Sequence, residues 1–221
     1  MGIILYSYFR SSCSWRVRIA LNILGIPHEI RPINLLKGEQ LAAEYARINP
    51  LKTVPSIQTS SGDVVWQSLA IIDYIDKDKV LLPKEPMDRA RCMQITQTIV
   101  SEIQPLQNLS VIKRISELAG EKAKNDWAVY HNQSKLKIIN DYLVKDTSEF
   151  CVGGNVTLAD ICLIPQLYSA QRFGINISKE FPRLFRIAQH LENIEAFRLA
   201  HPHAQKDCPN DIKDLGIYFK V

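Results

Sequence analysis

The hydrophobic period of the chain changes once, near Asp78, and that change narrows the folds open to it. Before it, short apolar runs alternate with helical patterns. Ile3-Ile4-Leu5-Tyr6-Ser7-Tyr8 reads as a buried strand, being short, apolar and aromatic. Ser11-Ser12-Cys13-Ser14 then supplies capping hydroxyls, Val17, Ala20, Leu21 and Leu24 recur at helical spacing, and Gly25 closes the helix. His28 to Ile33 reads as a second strand, and Glu39 to Arg47 as a short helix stopped by Asn49-Pro50. Val54 to Thr59 and Asp63 to Trp66 read as two more strands joined by the hairpin signal Ser61-Gly62. Ser68 then caps a helix with Leu69, Ile72 and Ile75 on one side. The order β-α-β-α-β-β-α predicts one mixed sheet with helices on its faces.

After Asp78 only helical periods follow. Val80-Leu81-Leu82-Pro83-Lys84-Glu85-Pro86, with two prolines and no helical period, reads as a linker. Met87 to about Glu117 is expected to be one long helix kinked near Ser101 to Pro105, because proline lacks an N–H and clashes with the carbonyl four residues back. Lys122 to Val144, Thr157 to Phe173 and Phe181 to Ala200 are expected to complete a bundle. The apolar run Leu158-Ala159-Ile161-Cys162-Leu163-Ile164 implies a central buried helix. The fold class is therefore α/β plus all-α: a mixed-sheet domain over residues 1–80 and a helical domain over 87–221. A length of 221 residues suits two unequal domains.

Several function classes are disfavoured. The net charge of +4 is modest and Lys and Arg are scattered, whereas a nucleic-acid binder shows a concentrated stripe. No apolar stretch approaches the roughly 20 residues that span a bilayer, so no membrane partner is expected. The five cysteines, Cys13, Cys92, Cys151, Cys162 and Cys208, are odd in number and include no CxxC pair. That disfavours a disulfide framework or structural zinc and fits a reducing cytoplasm. The histidines form no HExxH, and no metal is expected.

Three places carry polar groups where chemistry is possible. Ser11-Ser12-Cys13-Ser14-Trp15-Arg16 lies between the first strand and the first helix. Backbone N–H groups and the helix dipole stabilise an anion there, and hydroxyls add hydrogen bonds, so such a site can lower the pKa of a thiolate. The same residues also read as plain capping by Ser11 or Ser12. Cys13 is a reactive thiol, an accessory group or inert. In thioredoxin-like redox proteins the first helix opens with CxxC, but Arg16 occupies the second cysteine position here, which removes dithiol exchange. Pro55 cannot continue a central ladder, and a cis Val54-Pro55 bond would present the Val54 backbone to a bound peptide. Gln67-Ser68, at another helix start, suits a small carboxylate or is a simple cap.

These signals converge. SSCSWRVRIAL at Ser11 to Leu21, NPLKTVP at Asn49 to Pro55, QSLAIIDYI at Gln67 to Ile75, IQPLQNLSVIK at Ile103 to Lys113, FCVGGNVTLADICLIPQ at Phe150 to Gln166 and AQRF at Ala170 to Phe173 resemble the zeta class of glutathione transferases. The resemblance runs in order from about Ile3 to Pro209. SSCSWRVR is specific to that class, whereas VP and QS occur across the wider superfamily. It implies a thioredoxin-like domain followed by a helical bundle, usually in a homodimer.

It also implies glutathione as coenzyme and a small carboxylated substrate, isomerised from cis to trans by reversible thiolate addition, in tyrosine and phenylalanine breakdown. Ser11 and Cys13 would be the catalytic pair. Ser11, Ser12, Cys13, Ser14, Trp15 and Arg16 would surround the sulfur. Gln40 would lie near the glycyl end, Val54 would bond the cysteinyl part through its main chain, and Gln67 and Ser68 would take the γ-glutamyl end. Gln104, Asn108, Leu109 and Ser110 would complete the site from the helical domain. Arg172, with Gln107 and Arg10 as helpers, would hold the substrate, in a cleft between the domains. Thr157 and Asp160 match the family's capping box, a folding signal. Two rivals remain: a conjugating or dehalogenating transferase acting on α-halo acids, and a non-enzymatic binding protein on the same fold. The tail from Asp211 to Val221, with Leu215, Ile217, Tyr218 and Phe219, lies beyond the resemblance.

Overall fold

The computed structural model describes residues 2–213, so Leu215, Ile217, Tyr218 and Phe219 of the tail lie outside it. The described chain forms two compact units. One comprises residues 2–80 together with 194–213, and the other 81–193. The expected helical domain, residues 87–221, thus parts in space: its segment 194–213 groups with the sheet.

In the first unit β1 (Ile3–Ser7), β2 (His28–Pro32), β3 (Ser56–Gln58) and β4 (Val64–Trp66) form one sheet of order β2-β1-β3-β4. β1 pairs parallel with β2 and antiparallel with β3, and β3 pairs antiparallel with β4, giving the mixed sheet that the element order predicts. Helix α1 (Ser12–Ile23) connects β1 to β2, α2 (Ala43–Ile48) precedes β3, and α3 (Ser68–Ile75) follows β4. α1 ends as its sequence requires. Gly25 takes φ +62°, a left-handed conformation that costs glycine little, and Ile26 N–H then reaches back to the Leu21 carbonyl at 3.0 Å. Leu5, Val17, Ile19, Leu21, Ile57 and Ile71 are wholly buried. α9 (Glu195–Ala200), a short 3₁₀ turn at Pro202–Ala204 and α10 (Asn210–Lys213) belong to this unit.

The second unit holds α4 (Pro86–Gln97), α5 (Leu109–Leu143), α6 (Leu158–Arg172), α7 (Ile177–Glu180) and α8 (Pro182–Leu191). The single helix expected over Met87 to Glu117 is not formed. α4 passes into a π-helical turn at Thr98–Ile103 and a 3₁₀ turn at Gln104–Gln107. Asn108 is extended and starts α5, its side chain accepting from Leu109 N–H at 2.9 Å. Pro105 has no N–H to give to the Ser101 carbonyl, so the α-helical ladder changes pitch around it and then restarts. α5 carries a local break at Gly120, with φ 87° and ψ 170°, close to the boundary expected between Glu117 and Lys122. The expected last helix is divided between α8 and α9, which belong to different units.

α6 is the buried helix its apolar run predicts, with Ala159, Ile161, Cys162, Leu163 and Leu167 wholly enclosed. Its start rests on Asp160. One carboxylate oxygen accepts from Cys151 N–H at 2.7 Å, the other from Thr157 N–H and the Thr157 hydroxyl, both at 2.8 Å. Asp160→Ala leaves these buried donors without an acceptor, at about 1–3 kcal/mol for each group so orphaned. A net loss of about 3 kcal/mol is expected in urea unfolding, and an unchanged midpoint would show that the capping box contributes nothing.

Candidate active site

The first unit places its polar groups at three chain turns. Tyr8 to Ser11 close a tight turn after β1, with Ser11 N–H bonded to the Tyr8 carbonyl at 3.0 Å. Ser11 caps α1: its hydroxyl oxygen accepts from Ser14 N–H at 3.2 Å. That bond uses an oxygen lone pair and leaves the hydroxyl proton for an acceptor outside the helix. Ser11, Ser12 and Cys13 are partly exposed, while Ser14, Trp15 and Arg16 are buried. The Arg16 guanidinium donates through Nη1 to the Ser68 hydroxyl at 3.4 Å and lies 3.7 Å from the Cys13 sulfur. α1 and α3 are therefore joined by the side chains that the sequence marks at both helix starts. Trp15 stacks edge-on against His201, with ring centroids 5.0 Å apart.

The expected cap of α3 is corrected. Gln67, not Ser68, stands at the cap position with φ +74°, and Ser68 is the first helical residue. Its hydroxyl is thus turned to Arg16 instead of to the helix backbone. Val54-Pro55 is cis, and Val54 is buried beside Tyr6, Tyr8, Phe9 and Tyr45. Gln40 lies in a 3₁₀ turn at Glu39–Leu41. Arg10 places its guanidinium carbon 5.8 Å from the centre of the Phe9 ring.

In the second unit Gln104 opens the 3₁₀ turn, and Asn108, Leu109 and Ser110 are exposed at the start of α5. Gln107 is buried, its Oε1 accepting from Asn132 Nδ2 at 2.7 Å, and Asn132 Oδ1 accepts from Gln166 Nε2 at 2.7 Å. Arg172 is exposed in the last turn of α6.

Cys13 is the one cysteine that is not buried. Burial pushes the thiols of Cys92 and Cys151 up, for Cys151 helped by the Asp160 carboxylate, so neither ionises near neutral pH. Among the described residues no cluster of His, Cys, Asp or Glu could hold a metal ion.

Two groups escaped the sequence reading. Arg18 is buried in α1 and bonds the Tyr8, Phe9 and Ala200 carbonyls, and the Asp207 carboxylate accepts from Phe9 N–H. The only signal was a cation inside the apolar run Val17 to Leu21. Nothing marked Asp207, which stands 198 residues from its partner.

The donor set can be tested against a thiol-containing peptide anion. A hydroxyl proton at a helix start answers a thiolate, and α1 has no acidic residue in its first turn to oppose it. Ser14 Oγ and Arg16 Nε and Nη2 in the first turns of α1, and Gln40 Oε1 in its 3₁₀ turn, are buried polar atoms without a hydrogen-bond partner among the described residues, as are Thr96 Oγ1 and Gln166 Oε1 in the second unit. The set fits.

A β-α-β then β-β-α sheet unit with a cis-proline, a helix-capping serine at the first helix and an all-helical second unit define a glutathione-transferase architecture. The chain belongs to the glutathione S-transferase family: residues 10–78 match its N-terminal domain and residues 91–195 its C-terminal domain. Within that family its resemblance is to the zeta class. It is 42% identical over 215 residues to maleylacetoacetate isomerase of Mus musculus, covering 95% of this chain and 97% of the mouse protein. It superposes on maleylpyruvate isomerase, a bacterial zeta-class transferase, with TM-score 0.88 at 30% identity, covering 93% of this chain and all of that one. The maleylacetoacetate isomerase of Anaeromyxobacter dehalogenans 2CP-1, solved with dicarboxyethyl glutathione and citrate in its active site, matches with TM-score 0.84 at 32% identity, covering 94% and 98% of the two chains. No described helix is long and apolar enough to cross a membrane.

Proposed function

We propose that the chain isomerises maleylacetoacetate to fumarylacetoacetate with glutathione as coenzyme. The observation that carries this is Ser11: its oxygen caps α1 while its proton remains available at a helix start. Bound glutathione supplies a thiolate that adds to the alkene carbon, moves the electron pair onto the neighbouring carbonyl oxygen, allows the former double bond to rotate, and leaves again without net consumption. A dicarboxyethyl group on glutathione, as held by the Anaeromyxobacter relative, has the carbon skeleton that thiolate addition to a butenedioic acid would give.

The chain's own residues have the following parts in this reading. Ser11 donates to the sulfur and the α1 N-terminus stabilises its charge. Ser12, Cys13, Ser14, Trp15 and Arg16 enclose it. Val54 holds the cysteinyl part through its main chain, and Gln67 and Ser68 hold the γ-glutamyl end, with Arg16 fixing the Ser68 hydroxyl. Gln40 serves the glycyl end. Gln104, Asn108, Leu109 and Ser110 add contacts to glutathione. Arg172 binds a substrate carboxylate, assisted by Gln107 and Arg10. Cys13 is accessory. A cytoplasmic homodimer goes with this activity, and all five cysteines are free, as a reducing compartment would leave them.

The test is turnover of maleylacetoacetate with and without glutathione. Isomer formation only with glutathione, and without loss of free thiol, is expected. Stoichiometric consumption of glutathione by α-halo acids, with no isomer formed from maleylacetoacetate, would establish the conjugating rival. Failure to bind immobilised glutathione would establish the non-enzymatic one.

A further inference from the structure

The segment 194–213 returns to the sheet unit at the turn that carries Ser11. The Asp207 carboxylate accepts from Phe9 N–H at 2.8 Å. Arg18, 1% exposed, donates from Nη2 to the Phe9 carbonyl at 2.9 Å, from Nη1 to the Ser7 hydroxyl at 3.0 Å and the Tyr8 carbonyl at 3.4 Å, and from Nε to the Ala200 carbonyl at 3.0 Å. Both backbone polar groups of Phe9 are thus fixed, and the Tyr8 carbonyl that receives Ser11 N–H is fixed as well. Cys208 and Ile212 pack with Tyr6, Tyr8, Phe9 and Val54 in one apolar cluster, so the same segment braces the turn by contact. Burial lowers the pKa of the Arg18 guanidinium to about 9, and the Asp207 charge opposes that shift.

We propose that Asp207, together with Arg18, is a positioning residue for the thiolate step: the C-terminal segment fixes the Tyr8–Phe9 turn and thereby the direction in which Ser11 offers its proton. This rests on the reading that Ser11 holds the glutathione sulfur. Neither group need touch glutathione or substrate. Their effect comes through geometry, since a donor displaced by a fraction of its bond length loses much of its value to a developing charge, and an ångström of misplacement can cost about 10²-fold.

The experiment is an ultraviolet titration of the thiolate of bound glutathione in the full chain, with steady-state kinetics and thermal melts alongside. Asp207→Ala is expected to raise the thiolate pKa and lower kcat about tenfold or more. Asp207→Asn, whose amide oxygen can still accept from Phe9 N–H, is expected to restore most of both. In Ser11→Ala the added Asp207→Ala change should shift the thiolate pKa no further, because the donor it positions is gone. Should Asp207→Ala fail to fold, Asp207→Glu carries the comparison. It keeps the charge but moves the acceptor by a methylene, and a raised thiolate pKa is expected there too. The proposal is overturned if Asp207→Ala, or Asp207→Glu in its place, melts lower but keeps the wild-type thiolate pKa and kcat. It is equally overturned if Asp207→Asn is as impaired as Asp207→Ala, or if the effect is undiminished in Ser11→Ala. If Ser11→Ala itself leaves the thiolate pKa unchanged, it is the Ser11 reading that fails.

Discussion

Ser11→Ala is expected to lower turnover by roughly 10²-fold or more and to raise the pKa of bound glutathione. Loss of one preorganised donor has that size when charge develops where water is excluded. The Ser11 oxygen does two jobs, however, because it also accepts from Ser14 N–H at 3.2 Å and so caps α1. Removing the cap costs about 1 kcal/mol of stability by itself. Ser11→Asp separates the two jobs. A carboxylate caps a helix as well as a hydroxyl does, but it has no proton to give at neutral pH and repels a thiolate. Ser11→Asp should therefore melt near the wild-type temperature and be inactive. Cys13→Ala should keep substantial turnover, since the Cys13 sulfur is engaged with Arg16 Nη1 at 3.7 Å and Ser11 retains its proton. Measured kcat and thiolate pKa across these three variants decide the matter. An inactive Cys13→Ala beside a near-normal Ser11→Ala would exchange the two roles.

The sheet unit was legible because its signals are local. A strand, a capped helix and a glycine stop within about thirty residues of sequence carry their own periods and punctuation, and β1, α1 and β2 stand where those periods put them. Legibility fell where two local rules competed. At Thr98–Gln107 helical periodicity argued for continuation and Pro105 for a break, and the chain answered with π-helical and 3₁₀ turns before Asn108 restarted the helix. At Gln67-Ser68 the capping rule favoured serine, yet Gln67, with its positive φ, holds the cap position, so the helix starts one residue earlier and the Ser68 hydroxyl turns to Arg16. Long-range contacts left no trace. Asp207 and Phe9 are 198 residues apart, and neither has a pattern that points to the other. The candidate site divides in the same way. Ser11 is marked by its place between strand and helix, whereas Arg172 read from its residues alone is only a cation favoured at a helix C-terminus, and its role comes from the resemblance.

Arg172→Ala is expected to raise the Michaelis constant for the acidic substrate about tenfold or more, because a charge-assisted hydrogen bond is worth about 1.5–3 kcal/mol. A guanidinium keeps its charge at any working pH and meets a carboxylate with two parallel donors. Its position in the last turn of α6 holds it on a helix whose preceding turns are buried, so the side chain is offered from a fixed base. The glutathione constant should barely move, since most residues assigned to that ligand belong to the sheet unit and Arg172 to the helical one. Lysine should rescue only in part, as an ammonium is a point charge that cannot reproduce a two-pronged contact. The exposed C-terminal position makes a folding explanation testable as well. Loss of a helix-end cation costs about 0.3–1 kcal/mol, and lysine would restore it fully. Steady-state kinetics with each ligand varied separately distinguish the two cases. A raised constant for the acid alone, only partly restored in Arg172→Lys, identifies the substrate carboxylate as the partner. A rise in the glutathione constant with that of the acid unchanged would move Arg172 out of substrate binding.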